Sequence, residues 1–149
     1  MKKLLTLLLI LTTLTLSAAD KPKGDKWQRY ITGHNPAVSV ADADRIVDSV
    51  YSHCGYPYIA FALILRESSF IPTAKGKHGE IGLMQVRPEI HGTVSDNPDY
   101  QIVQGCDILD GYIAEIIKAK PELKKSPDDL KQAAMDAYKL GITRYLKRQ

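Results

Sequence analysis

Apolar residues along this chain recur mostly at helical spacing. Ala43, Ile46, Val47, Val50, Tyr51 and Cys54 fall on one face of a helix. Ser39-Val40-Ala41-Asp42 fits its start, with serine as N-cap and an acid at the third helical position. Gly55 ends it, and Pro57 suits the first position of a second helix. From Ile59 to Leu65 that second helix is apolar on nearly all sides, which predicts the central, buried element. Pro72, Gly76, Gly79 and Gly82 then predict irregular backbone. A third helix is predicted from Asn97-Pro98 to Lys120, with Ile102, Val103, Cys106, Leu109, Ile113, Ile116 and Ile117 on its apolar face. Gly105 and Gly111 cost helix propensity there and imply close packing. Ser126-Pro127-Asp128-Asp129 opens a fourth helix by the same cap logic, reaching about Leu140 before Gly141. Ile142, Tyr145 and Leu146 make a last turn. Alternating strand patterns are nearly absent, so the predicted fold class is mainly α, a single helical domain with an irregular segment after its central helix.

The N-terminus reads differently. Residues 1–19 have the order of a secretory signal: Lys2 and Lys3, then Leu4 to Leu16 apolar apart from threonines, then Ser17-Ala18-Ala19. The apolar run falls short of the roughly 20 residues that span a bilayer, so an uncleaved anchor is the weaker reading. No cysteine follows the small residues, which argues against a lipid anchor. Residues 20–38, rich in proline, glycine and lysine, are expected to form an extended lead-in that Trp27 and Tyr30 pin to the body. Residues 39–149 then form the domain. Removing the signal leaves about 130 residues, enough for one core.

The formal charge of +3 includes the two signal lysines. The mature chain is therefore nearly neutral, at about +1, and carries no nucleic-acid-binding motif. Cys54 and Cys106 either close one disulfide in an oxidising compartment or pack as two small hydrophobes. His34, His53, His78 and His91 lack zinc-ligand spacing, and no His-Glu-x-x-His occurs. No metal or cofactor is expected. The lysines at 118, 120, 124 and 125 read as a solvated face.

The candidate chemistry centres on Glu67. It closes the apolar run through Arg66 and precedes Ser68-Ser69-Phe70-Ile71-Pro72. Desolvation and the negative end of the helix dipole both favour a neutral acid there. A carboxylic acid held ready to give a proton is what glycosidic-bond cleavage needs. The bland alternative is a helix-end glutamate paired with Arg66.

The surrounding residues carry a resemblance. Glu67-Ser68-Ser69-Phe70-Ile71-Pro72-Thr73-Ala74, then Gly79-Glu80-Ile81-Gly82-Leu83-Met84-Gln85-Val86-Arg87-Pro88, resemble the signature of the soluble lytic murein transglycosylases, the SLT family, whose catalytic domain has a lysozyme-like fold. Fainter likeness extends through Gln101-Ile102-Val103-Gln104-Gly105 and Ala137-Tyr138-Lys139-Leu140-Gly141. The resemblance implies a lyase of peptidoglycan, with Glu67 as the single catalytic acid and then base. It cleaves the bond between N-acetylmuramic acid and N-acetylglucosamine and leaves a 1,6-anhydro end. Substrate-binding positions implied by the match are Ser68, Gly82, Met84, Gln85 and Tyr138; simple packing is the alternative for the apolar ones.

Departures from the family pattern also stand out. Asparagine usually occupies the positions of Gln101 and Lys139, serine often that of Gly76, and a small residue that of Glu80. Glu80 offers a second carboxylate, which a hydrolase of lysozyme type would need at about 5 Å or 6.5–9.5 Å from the acid. A loop-buttressing role is its alternative. Two other functions compete with the lyase: a hydrolytic muramidase, and a non-catalytic glycan-binding scaffold of the same fold. The implied setting is periplasmic or secreted, as a monomeric bare catalytic domain with peptidoglycan as partner, no nucleic acid, and no membrane span after signal cleavage. Such domains serve wall remodelling, secretion or conjugation machinery, or phage lysis.

Overall fold

A computed structural model describes residues 25–148. The signal segment at 1–19 lies outside the described residues. The described chain is mainly helical, as its apolar spacing predicts. Helix α1 spans Asp25–His34, α2 Val40–His53, α3 Pro57–Ser68, α4 Pro88–His91, α5 Pro98–Ala119, α6 Pro127–Leu140 and α7 Ile142–Leu146, with a 3-10 turn at Pro121–Lys125.

The local reasons are visible at each start. The Ser39 hydroxyl accepts from the Asp42 amide at 3.1 Å and lies 2.7 Å from the Asp42 carboxylate. Asn97 caps α5 by accepting from the Asp99 amide at 3.0 Å, with Pro98 in the first turn. Ser126 departs from the expected capping: its hydroxyl meets the Asp129 carboxylate and no backbone amide.

Burial explains the arrangement. Helix α3 puts Ile59, Ala60, Phe61, Leu63 and Ile64 into the core, as its uniform apolarity demands. Helix α2 packs along α5, and α5 along α6, through Val50, Ile102, Leu109, Ile113 and Ala134, all fully buried. A side chain at Gly105 would run into Met84, so close packing there is real. Gly111 is exposed with open space around it, and its expected close contact is absent. Cys54 and Cys106 form a disulfide between the C-terminal end of α2 and α5, with alpha carbons 5.1 Å apart. No helix among the described residues is long and apolar enough to cross a membrane.

The lead-in requires correction. Residues 25–34 are helical, not extended. Trp27, Tyr30 and Ile31 stand at i, i+3 and i+4, which makes one short apolar face. The Trp27 ring stacks on Phe61 at 4.1 Å, and its N–H donates to the Tyr51 hydroxyl at 2.7 Å. Ile31 is fully buried, so the core reaches back into this segment.

Between α3 and α5 the backbone is irregular, as the prolines and glycines predict. Two isolated antiparallel bridges, Lys75 with Ile81 and Ile81 with Val86, fold it back on itself. Buried Gln101 of α5 ties it down. The Gln101 amide oxygen accepts from the Leu83 N–H at 3.0 Å, and its nitrogen donates to the carbonyls of Pro72 and Ser95 at 3.1 and 3.0 Å. Gly82 is required twice over: its φ is +81°, and any side chain there would occupy the space of the Gln101 amide.

Candidate active site

The last turn of α3 ends in unusual backbone. Ser69 and Phe70 are left-handed, with φ of 50° and 64°, and Gln85 follows at 48° across the loop. Such residues cost on the order of 1 kcal/mol each and persist where their surroundings hold them. Phe70 is fully buried, and the Ser69 carbonyl accepts from the Asn35 side chain at 2.8 Å. This reversal at Ser69 and Phe70 leaves Glu67 on the wall of a cleft of about 580 Å³. Gly76, Lys77, His78, Glu80, Gln85 to Arg87, Ile90 and His91 form the loop side, and Ile108, Tyr112 and Tyr138 to Gly141 form the side from α5 and α6.

Glu67 is not alone there. Arg66 donates from Nε at 2.9 Å and Nη2 at 2.7 Å to the same Glu67 oxygen. The Arg66 Nη2 also donates to the Met135 carbonyl of α6 at 3.0 Å. Consecutive helical residues ordinarily point apart, so the arginine bends back to meet its neighbour. Its guanidinium sets a positive charge directly against the Glu67 carboxylate.

Tyr138 is the group best placed to shape this wall. Its hydroxyl donates to the Met84 carbonyl at 2.9 Å. Burial first, and then the Glu67 charge, push its pKa far up, so it stays a phenol and a donor. Gln85 lines the cleft with both amide hydrogens directed to backbone, at the carbonyls of Ala74 and Gly82 at 3.1 and 2.9 Å. Its amide oxygen is the end left to meet a ligand.

Glu80 shares the cleft but is closely held. Its Oε1 accepts from Arg87 Nη2 and its Oε2 from the His78 amide, each at 2.8 Å. Burial alone would raise its pKa; the Arg87 hydrogen bond, backbone amides and the Arg87 charge outweigh it and hold the group at about 2. Its ionised form therefore stabilises the fold fully above its ordinary 4.5, and that contribution is lost as pH falls from there towards about 2. Because Arg87 is partly exposed, screening reduces the gain to about 1–2 kcal/mol. In urea titrations between pH 6 and pH 2.5, the native protein is expected to lose this increment, and Glu80→Gln to lack that part of the pH dependence. Parallel curves for the two proteins would contradict the assignment.

Of the positions singled out by sequence, Glu67, Glu80, Gln85 and Tyr138 meet in the cleft. Ser68, Gly82 and Met84 are buried and stand outside the cleft lining, where they support the loop. The Ser68 hydroxyl donates to the Leu83 carbonyl at 2.8 Å, tying α3 to the loop, and Met84 fills the space beside Gly105. The cleft also contains residues that sequence patterns left unassigned or assigned elsewhere: Lys77, Arg87, Ile90, Ile108, Tyr112 and His91. Ile108 and Tyr112 stand four apart on α5, a spacing that marks a shared face but not what that face meets. The His91 pKa is lowered, by burial first and then by the Arg87 charge. Among the described residues no three His, Cys, Asp or Glu side chains converge as a metal site.

The acid, the loop and the buried glutamine that fixes it all fall in one stretch of sequence. Residues 52–107 match the family model for the transglycosylase SLT domain. The SLT match agrees with the resemblance read from residues 67–88, and the helical architecture is consistent with the lysozyme-like fold of SLT domains. It takes in Glu67, Glu80, Gln85 and Gln101, whereas Tyr138 and Lys139 lie beyond it. The SLT domain implies activity of lytic-transglycosylase type on peptidoglycan, and with it an extracytoplasmic role. No curated protein and no solved structure matches the chain.

Proposed function

We propose that this protein is a peptidoglycan lytic transglycosylase in which Glu67 acts as acid and then as base. The observation that carries the reading is Glu67 on the wall of a cleft, within the SLT match. Glu67 first gives its proton to the oxygen linking N-acetylmuramic acid to N-acetylglucosamine. The resulting carboxylate takes the proton of the muramic C6 hydroxyl as O6 closes on C1. One bond breaks, one forms, and no water is consumed. Arg66 is the natural counter-charge for the carboxylate stage of this cycle.

The hydrolytic alternative draws on Glu80, because it lines the same cleft. Both Glu80 oxygens already accept strong hydrogen bonds, one from a guanidinium. A carboxylate held at about 2 is a weak acceptor for the proton of an attacking water. This supports the reading with one working carboxylate. Export through residues 1–19 and an oxidising compartment suit both the substrate and the Cys54–Cys106 bond.

Product mass tests the proposal. Purified sacculi digested with the native protein are expected to give muropeptides one water lighter than those from a muramidase. Reducing ends alone would establish hydrolysis instead.

A further inference from the structure

Charge in the cleft does not cancel. Its two carboxylates are each matched by an arginine, Glu67 by Arg66 and Glu80 by Arg87. Lys77 on the loop side and Lys139 at the end of α6 line the same cleft. Both are exposed, and among the described residues neither has a carboxylate partner. Lysine near the end of a helix also answers the helix dipole, but that role does not require lining a cleft.

The sugar backbone of peptidoglycan offers two ammonium groups hydrogen-bond acceptors but no opposite charge: its hydroxyls and acetamides are neutral. The carboxylates of the polymer sit on the peptide stems that hang from the muramic lactyl group. Resting on the transglycosylase reading, we propose that Lys77 and Lys139 bind stem-peptide carboxylates, so that this cleft selects strands whose stems carry free acid groups. Placed on opposite walls, the two lysines engage a stem as it leaves the muramic residue. The selected feature is the charge of the stem, while the sugar contacts remain with the rest of the cleft.

Three preparations of one glycan test this: strands with native stems, strands whose stem carboxylates are converted to amides with carbodiimide and ammonia, and strands stripped of stems by an amidase. Stripped strands expose the lactyl carboxylate, which separates the two sources of acid. The native protein is expected to show kcat/KM about tenfold higher on native stems than on either other preparation, equivalent to about 1.4 kcal/mol over two exposed pairs. In the double variant Lys77→Gln, Lys139→Gln that ratio is expected to fall to about two or below, while Lys77→Arg, Lys139→Arg keeps it. Lys124→Gln, Lys125→Gln, outside the cleft, should retain the native ratio.

Equal rates on native and amidated stems would overturn the proposal. Stripped strands performing as well as native ones would also overturn it, by assigning the lysines to the lactyl acid. If no anhydro ends form on any strand, the transglycosylase reading fails. Binding of the three strands to the Glu67→Gln protein then still decides the role of the lysines.

Discussion

Glu67→Gln is expected to lower release of anhydro ends from peptidoglycan by roughly 10³- to 10⁴-fold. Glutamine keeps the size of the side chain and an oxygen that accepts from Arg66, whose two nitrogens meet one Glu67 oxygen at 2.7 and 2.9 Å. The second anchor of Arg66, at the Met135 carbonyl, is untouched. Folding should therefore change little, with a thermal midpoint within a few degrees of native. What glutamine lacks is a proton to give and a carboxylate to receive one. A single residue filling both roles leaves no partner to cover half the reaction, so the loss should lie at the upper end of general acid–base effects. It should fall on kcat, with glycan binding retained. Turbidity clearance by the variant at near-native rate would assign the chemistry to another acid, and no clearance by either protein would leave a glycan-binding scaffold as the better account.

Removing both cysteines carries the largest expected cost in stability. Cys54 and Cys106 lie 52 residues apart in sequence. Closing a loop of that length restricts the unfolded chain by about 4 kcal/mol on the chain-entropy account. For a domain of this size, Cys54→Ala with Cys106→Ala is expected to lower the thermal midpoint by about 10–15 °C. Reductant should bring the native protein close to the variant and leave the variant unmoved. Activity at low temperature should outlast the loss of stability, because the bond joins α2 to α5 and neither cysteine lines the cleft. A midpoint unchanged by both treatments would remove the disulfide from the list of what holds this fold.

Much of the architecture was legible because its starts carry chemistry of their own. Ser39 before α2, Pro57 in α3, Asn97-Pro98 before α5 and Pro127 in α6 mark boundaries that local physics sets. Helix α1 escaped because Lys21-Pro22-Lys23-Gly24 just upstream dominates its window, while its own apolar face is only Trp27, Tyr30 and Ile31. Glu67, Gln85 and Tyr138, singled out in the sequence, line the cleft. The inward turn of Ser68, Gly82 and Met84 was not legible, since a motif lists residues without saying which side of an irregular loop meets water. Gly82 shows the reason: its neighbour is Gln101, brought in from another helix. The Arg87–Glu80 pair likewise exists only once the loop has folded back through Ile81 and Val86.

That folded loop also links what two positions can hold. A side chain at Gly76 would fall on the Glu80 carboxylate and close to the Gln85 amide oxygen. A side chain at position 76 and the full-length Glu80 therefore compete for one space. The two departures from the family pattern are thus coupled, and serine at Gly76 is expected to be tolerated better once Glu80 is shortened.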